Sequence, residues 1–186
     1  AQLGVPITWR PILVGGVFNA VNQELYAQRE ALFAGKNKRR LDHFVKDLAD
    51  WARLCSLDIR MPPGHPISSV KAMRGAYFAM EQDLLIPYAQ AVFSTYWSSA
   101  TPDISDDGVL REICRQAGLE PDAFFDAIGQ QRYKDQLRAA TDELIERGGY
   151  GSPTFFVHGD GVENDMYFGN DRLPLVEFKL RALLGV

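Results

Sequence analysis

Apolar side chains recur at three- and four-residue steps through the middle of the chain, between residues 37 and 147. Such spacing places them on one face of a helix, so this region is predicted to be helical. The first helix is predicted to run from Asn37 to Cys55. Its apolar positions are Leu41, Phe44, Val45, Leu48, Trp51, Ala52 and Cys55. Charged residues take the opposite face, so the helix is predicted to be amphipathic.

Proline and capping residues divide the rest of this region into further helices. The prolines of Met61–Pro66 remove backbone donors and end the first helix. Ser68 and Ser69 are suitable N-caps for a second helix, and a third follows Pro87. The third helix is rich in aromatic residues, which are predicted to lie in the core, although an aromatic substrate would also suit such a wall.

Three more helices are predicted, with start signals at Ser105–Asp107, Pro121 and Arg132. Gly118 ends the first of them and Gly148 follows the last, as expected of glycine at a helix C-terminus. Because the connections are short, residues 37–147 are predicted to form one all-helical region.

The C-terminal part of the chain has a strand pattern instead. Tyr150–Val157 holds a proline and then a β-branched and aromatic run, and Met166–Leu173 is a second strand that opens into a helix. Between them, His158–Gly161 has the glycines and aspartate of a turn. This part is predicted to be a β-hairpin followed by a final helix.

Val5–Val14 is also β-rich, but its prolines suit a sheet edge or a strand end better than a central strand. Gly15–Gln23 follows it as a glycine-rich stretch that is predicted to be a loop. Ala1–Gly4 has the pattern of the last turn of a helix with its glycine stop.

Composition excludes several classes of protein. The net charge of −4 and the pI near 5.4 argue against nucleic-acid binding, which requires a basic face. No apolar run approaches the roughly 20 residues of a membrane span, and no targeting segment is seen, so we expect a cytoplasmic protein. Cys55 and Cys114 form no redox or zinc motif and are expected to be buried or half-buried thiols. The histidines lack the spacing of a metal site, so no metal is expected.

Two short motifs carry a resemblance to a known family. Gly151-Ser152-Pro153-Thr154, followed by Phe168-Gly169-Asn170-Asp171-Arg172, resembles the 2-hydroxychromene-2-carboxylate isomerases and the related kappa-class glutathione transferases. The resemblance extends over essentially the whole chain. It implies an α/β, thioredoxin-like (DsbA-like) fold in which a proline loop, cis in the family, faces the active site.

The resemblance also implies a domain organisation. Residues 1–36 and 148–186 would form the thioredoxin-like domain, and residues 37–147 the helical insertion. In the family, a first strand and helix precede this chain's first residues, and the loop between them carries the reactive serine or cysteine. We therefore expect that unit to be missing from this sequence, and the catalytic residue stays unknown.

The family's ligand is glutathione, and the resemblance implies which residues hold it. They are Asn22, Arg40, Ser152, Pro153, Gly169, Asn170 and Asp171. From the residues alone, Arg40 and Asp47 could equally form a solvated charge pair on one helix face. Asn170 or Asp171 could equally be a simple N-cap of the final helix.

The resemblance implies a glutathione-dependent isomerase that acts on an aromatic-catabolism intermediate, in a protein that forms homodimers. Three alternatives remain open. The first is a kappa-like glutathione transferase. The second is a DsbA-like thiol-disulfide oxidoreductase, if the reactive loop carries cysteine. The third is a non-catalytic glutathione-binding or scaffold protein.

Overall fold

A computed structural model of the chain describes residues 3–24, 27–28, 31, 34–98, 100 and 102–186. The elements are numbered here in chain order. They are α1 (Val14–Val21), α2 (Lys38–Leu54), α3 (Val70–Glu81), α4 (Leu85–Tyr96), α5 (Asp107–Ala117), α6 (Pro121–Gly129), α7 (Gln131–Glu146), β1 (Thr154–Gly159), β2 (Val162–Phe168), a 3-10 turn (Asn170–Arg172) and α8 (Leu173–Leu184). The thioredoxin-like fold with a large helical part is confirmed by the structural comparison given below.

The predicted helix boundaries are confirmed for α2, α3, α5, α6 and α7. The predicted start of α4 after Pro87 is wrong, because α4 begins at Leu85 and Pro87 lies in its first turn, where a proline costs no helical hydrogen bond. Asp106 caps α5 by accepting a hydrogen bond from the amide of Val109, and Gly118 ends that helix with φ +79°. Glu120 caps α6, whose first residue is Pro121. Ser69 occupies the N-cap position of α3, but its side chain makes no capping bond.

The main core lies between α3, α4, α5 and α6. Small residues face inward on α3, which lets the neighbouring helices approach its backbone closely. The buried residues of this core include Ala72, Ala76, Ala79, Tyr88, Leu110, Ile113, Cys114 and Phe124. The Tyr88 hydroxyl donates to the carbonyl oxygen of Ala72, so its polar end is satisfied inside the core. The prediction that α4 places aromatic residues in the core is therefore confirmed for Tyr88, which is 1% exposed, and for Tyr96, but it is wrong for Phe93, which is 63% exposed.

A second buried cluster joins α3 and α7 to the start of the chain. It contains Tyr77, Tyr133 and Leu137, with Ile12 and Leu13 packed against it. The Tyr77 hydroxyl donates to the carbonyl oxygen of Pro11 at 2.8 Å. Burial raises the pKa of Tyr77 to about 12, so the phenol stays protonated as this bond requires.

The strand prediction for Val5–Val14 is wrong, because residues 5–13 form no strand and Val14 already begins α1. No strand among the described residues pairs with this segment. Side chains form hydrogen bonds with part of its backbone instead. The amide of Leu13 donates to Thr141 Oγ1 at 3.1 Å, and the carbonyl oxygen of Pro11 accepts from the Tyr77 hydroxyl. These side-chain hydrogen bonds take the place of the strand-to-strand hydrogen bonds that a sheet would provide for these two backbone groups.

The loop prediction for Gly15–Gln23 is also wrong, since Val14–Val21 is helical. Close packing outweighs the low helix propensity of the two glycines. A Cβ on Gly16 would lie 3.3 Å from Thr141 Cγ2, so α1 rests almost directly on α7. A helix end is also predicted at Ala1–Gly4. Residues 1 and 2 lie outside the described residues, so this stays a prediction, and Gly4 has φ +68°.

The hairpin is confirmed. β1 and β2 pair antiparallel with Thr154 opposite Phe168 and Val157 opposite Asp165, and an irregularity at His158 precedes the turn. Asp160 and Gly161 form the turn, in which Gly161 has φ +74°. α8 then returns along β1, and Lys179 on α8 forms an ion pair with Asp165 on β2 at 2.9 Å.

The helix predicted from Asn37 to Cys55 is confirmed as α2, and the side chain of Asn37 caps its start. Only Ala52 of this helix is fully buried, and Val45 is 56% exposed. Among the described residues, no helix is long and apolar enough to cross a membrane. The division into residues 1–36 with 148–186 and residues 37–147 stays a prediction.

The packing of α3 predicts that Gly75→Ala is destabilising. A Cβ at this position would lie 2.1 Å from Phe124 Cε2 and 2.8 Å from the Tyr88 hydroxyl. We expect the free energy of unfolding, measured by urea denaturation, to fall by about 1–3 kcal/mol because the core is overpacked. Gly129→Ala in α6, where nothing lies within 4 Å, is the control and should change it by less than about 1 kcal/mol. Equal effects of the two substitutions would contradict this packing.

Candidate functional site

The loop that enters the hairpin presents backbone groups without protein partners. Ser152 and Pro153 are exposed, and the peptide bond between them is cis. Within the part of the chain that the structure describes, neither the N–H nor the C=O of Ser152 forms a hydrogen bond. The ladder of β1 begins only at Thr154, whose hydroxyl donates back to the carbonyl oxygen of Gly151 at 2.8 Å. The Ser152 peptide is therefore open to an extended ligand.

Gly169 joins the end of β2 to this loop. Its amide donates to the carbonyl oxygen of Pro153 at 3.0 Å. Its backbone, at φ +108° and ψ 149°, is in a region that only glycine adopts readily. A Cβ here would lie 2.6 Å from Asp171 Oδ1. The absence of a Cβ at Gly169 thus allows its amide to bond Pro153 while the Asp171 carboxylate lies close to its Cα.

Asn170 and Asp171 follow directly in the 3-10 turn. The alternative that one of them is a simple N-cap of the final helix is not supported, because α8 begins at Leu173 and no side chain makes a capping bond at the start of the 3-10 turn or of α8. The carboxylate of Asp171 instead forms an ion pair with Arg172. Since Asp171 is about half exposed, its carboxylate is also accessible to a ligand.

Asn22 connects α1 to the same loop. It is the C-terminal cap residue of α1, and its Nδ2 donates to the carbonyl oxygen of Tyr150 at 3.3 Å. The Tyr150 ring lies against the Phe168 ring with centroids 4.5 Å apart. A Cβ on Gly151 would lie 2.8 Å from that ring, so the loop is pressed onto the end of β2.

The structure therefore brings six of the seven predicted ligand-binding residues into one neighbourhood. They are Asn22, Ser152, Pro153, Gly169, Asn170 and Asp171. Arg40 is the exception. It lies exposed in the first turn of α2, and no contact of the described residues links it to the hairpin. Its side chain forms no ion pair with Asp47 within the described residues, so the alternative of a charge pair is not supported.

Sequence reasoning gave no role to Tyr150, Phe168 or Arg147. Tyr150 precedes β1 and Phe168 ends β2, and aromatic residues near the open end of a hairpin are a usable signal for a ring contact across it. Arg147 directly follows α7, and its side chain reaches both strands of the hairpin. No local pattern predicts such a contact, because it depends on how the chain folds back.

An ion pair between Lys179 and Asp165 connects α8 to β2. A hydrogen bond from Lys179 lowers the pKa of the Asp165 carboxyl below its ordinary value. Burial first, and the Asp165 charge next, raise the pKa of the neighbouring Tyr167. Asp165 is therefore a structural carboxylate at neutral pH, whereas Asp171 belongs to the ligand-accessible loop.

The two cysteines lie away from this loop. Cys114 is fully buried in α5, and burial raises its pKa to about 12, which makes it an unreactive thiol. Its predicted burial is confirmed. For Cys55 the prediction is wrong: it is exposed, because it follows the last residue of α2, where no neighbouring element covers it.

The arrangement suits a small peptide that carries both charges. The free N–H and C=O of Ser152 can pair with an extended peptide as an added strand would. The carboxylate of Asp171 can accept from an ammonium group, and the Asn170 side chain offers both donors and an acceptor.

Comparison with known proteins gives the following. The family of DSBA-like thioredoxin domains matches residues 1–181. The chain is 24% identical to a 2-hydroxychromene-2-carboxylate isomerase from Sphingobium xenophagum, over 182 residues that cover 95% of this chain and 83% of that protein. A solved structure of a 2-hydroxychromene-2-carboxylate isomerase matches with a TM-score of 0.77 at 22% identity, over 98% of this chain and 83% of that one. The structural likeness supports the fold.

The backbone at Gly169 predicts that Gly169→Ala is costly. We expect the free energy of unfolding, measured in urea, to fall by about 1–3 kcal/mol, because alanine disfavours this φ and its Cβ would displace the Asp171 carboxylate. Gly64→Ala is the control, since it lies in an exposed loop with an ordinary φ and its nearest contact would be 3.8 Å away. That variant should stay within about 0.5 kcal/mol of the unsubstituted protein. A tolerated Gly169→Ala would contradict the described turn.

The ion pair on α8 predicts a pKa change at Asp165. In Lys179→Met the carboxyl loses the hydrogen bond that lowers its pKa, so the pKa should rise, which an NMR pH titration of Asp165 measures. Because the folded-state pKa is lowered, the stabilisation is present at neutral pH and is lost as the pH falls through that pKa. Lys134→Met, on α7, should leave the pKa of Asp165 unchanged. An unshifted Asp165 in Lys179→Met would contradict the pairing.

Proposed function

Because this chain belongs to the family of DsbA-like thioredoxin domains, we propose that it is an isomerase of the 2-hydroxychromene-2-carboxylate type and that it works with glutathione. The isomerase relative from Sphingobium xenophagum, aligned along nearly the whole chain, supports the reaction class. The observation that carries the glutathione part is the unpaired Ser152 peptide beside Gly169 and Asp171.

Glutathione has the groups that this loop is suited to bind. Its central cysteinyl unit has a peptide N–H and C=O that can pair with those of Ser152 in the manner of an added strand. Its γ-glutamyl end carries an ammonium group, for which the Asp171 carboxylate is the acceptor. Donors from Asn170 and the first amides of the 3-10 turn face the carboxylate of the same end.

Each residue of the loop then has a defined task. Asn22 and the Tyr150–Phe168 contact hold the loop in place. The amide of Gly169, directly after β2, holds the carbonyl oxygen of Pro153 through a 3.0 Å hydrogen bond. Asp171 fixes the charged end of the ligand. When bound, glutathione supplies a thiol whose thiolate form is nucleophilic and can be returned unchanged at the end of an isomerisation. This chain orients that sulfur through the peptide it pairs with at Ser152.

The alternative of a thiol-disulfide oxidoreductase depends on a cysteine in the reactive loop and stays an alternative. Cys114, which is buried with a raised pKa, and Cys55, which follows α2, do not supply that cysteine. The transferase alternative would use the same loop and differs only in whether glutathione is consumed. Homodimer formation stays a prediction. So does the role of Arg40, because α2 brings it to no described residue of the loop.

The test of glutathione binding is calorimetry on the full-length protein. We expect a dissociation constant in the micromolar to millimolar range, roughly 4–8 kcal/mol of binding free energy. Asp171→Ala should weaken binding by about tenfold or more, because the ammonium group loses its charged partner. Asp160→Ala, in the hairpin turn, is the matched control and should bind as the unsubstituted protein does. No binding by the unsubstituted protein would overturn the glutathione proposal.

The reaction class is tested separately, by following the isomerisation of 2-hydroxychromene-2-carboxylate by absorbance with and without glutathione. We expect turnover only when glutathione is present, and no net loss of glutathione. Asp171→Ala should raise the glutathione concentration needed for half-maximal rate. Consumption of glutathione during the reaction would favour a transferase instead.

A further inference from the structure

The side chain of Arg147 connects three elements: α7 and, towards the turn of the hairpin, both of its strands. Nη1 donates to Glu143 Oε1 on α7 at 3.1 Å. Nε donates to Asn164 Oδ1 on β2 at 3.0 Å. Nη2 lies 3.0 Å from Nε2 of His158 on β1, and that ring nitrogen is the acceptor because guanidinium only donates.

Two further contacts complete this arrangement. The guanidinium carbon lies 3.7 Å from the centroid of the Phe156 ring on β1, so the planar group stacks on the strand. Asn164 returns the interaction, since its Nδ2 donates to the carbonyl oxygen of Arg147 at 3.2 Å. Only about a quarter of the Arg147 side chain is exposed. Each of its three nitrogen atoms therefore has a partner within the protein.

The Arg147 contacts are important because few other contacts of the described residues join the helices before residue 147 to the hairpin. Among the described residues, no helix before residue 147 packs extensively on the hairpin, whereas β1, β2 and α8 pack on each other. The loop from Gly148 to Pro153 runs directly from Arg147 to β1. The position of the Ser152 peptide relative to the helical part thus depends on Arg147 at one end and on the Asn22–Tyr150 bond in the middle.

We propose that Arg147 is a positioning residue for the ligand-binding loop: it fixes both strands of the hairpin to the end of α7 and so sets where the Ser152 peptide lies. This inference rests on the proposed function for its link to glutathione, but the positioning itself is a property of the chain alone. Lysine could not replace Arg147, because it lacks the planar fork that bonds Asn164 and stacks on Phe156 together.

The direct readout is hydrogen exchange of the Gly169 amide, which donates to Pro153 and so reports the contact of the loop with β2. We expect Arg147→Ala to speed its exchange about tenfold or more, while the amide of Leu119, which donates to Cys114 in the main core, stays unchanged. A merely structural role would speed both amides together. Arg138→Ala, an exposed arginine on the same helix, is the control and should alter neither.

The second readout is the glutathione dissociation constant by calorimetry. We expect it to rise about tenfold in Arg147→Ala, and to rise no further when Asn164→Ala is added, because the two residues act as one unit. Arg147→Lys should recover little of the affinity. If Arg147→Ala does not fold, the lysine variant takes its place in both measurements.

The outcomes separate the two proposals. Unchanged exchange of Gly169 in the Arg147 variants overturns the positioning role, whatever the affinity. Faster exchange with unchanged glutathione affinity supports the positioning of the loop but overturns its link to glutathione binding. If the unsubstituted protein binds no glutathione, the proposed function fails, and selective acceleration of Gly169 exchange still supports Arg147 as the residue that positions the loop.

Discussion

The close approach of α3 to its neighbours at Gly75 is the constraint on which the rest of the structure depends. The space that a side chain would occupy there is taken by the Phe124 ring of α6 and the Tyr88 hydroxyl of α4. Because interiors pack at high density, the absence of a Cβ fixes the distance between three helices at once. Two residues further along the same helix, Tyr77 contacts the start of the chain.

From α3, a series of side-chain bonds extends to the candidate site. Tyr77 holds the carbonyl of Pro11, and Thr141 on α7 holds the amide of Leu13, so α1 starts at a defined place. α1 ends at Asn22, which bonds to the loop before the hairpin. The order of this series explains why an irregular segment with no sheet partner is well placed: polar side chains of the helices satisfy its backbone.

The site itself consists largely of backbone. It combines the Ser152 peptide, which has no hydrogen-bond partner among the described residues, with the unusual φ of Gly169 and the exposed Asp171 carboxylate. The proposed use of glutathione fits this composition, because these groups can bind its peptide and its ammonium group. Arg147 and Asn22 then matter through the loop they hold rather than through contact with substrate.

The sequence by itself determined the local structure. Capping residues and glycines placed the ends of α5, α6 and α7, and the Asp160–Gly161 turn placed the hairpin, because these signals act over a few neighbouring residues. The motif around Ser152 and Gly169 also identified the family. Only the tertiary structure decided that Gly15–Gln23 is largely helical, that residues 5–13 form no strand, and that Arg147 contacts both strands while Arg40 stays apart from them. These outcomes depend on partners far away in the chain, such as Thr141 for Gly16 and Asn164 for Arg147, and no local spacing of residues encodes which distant surfaces meet.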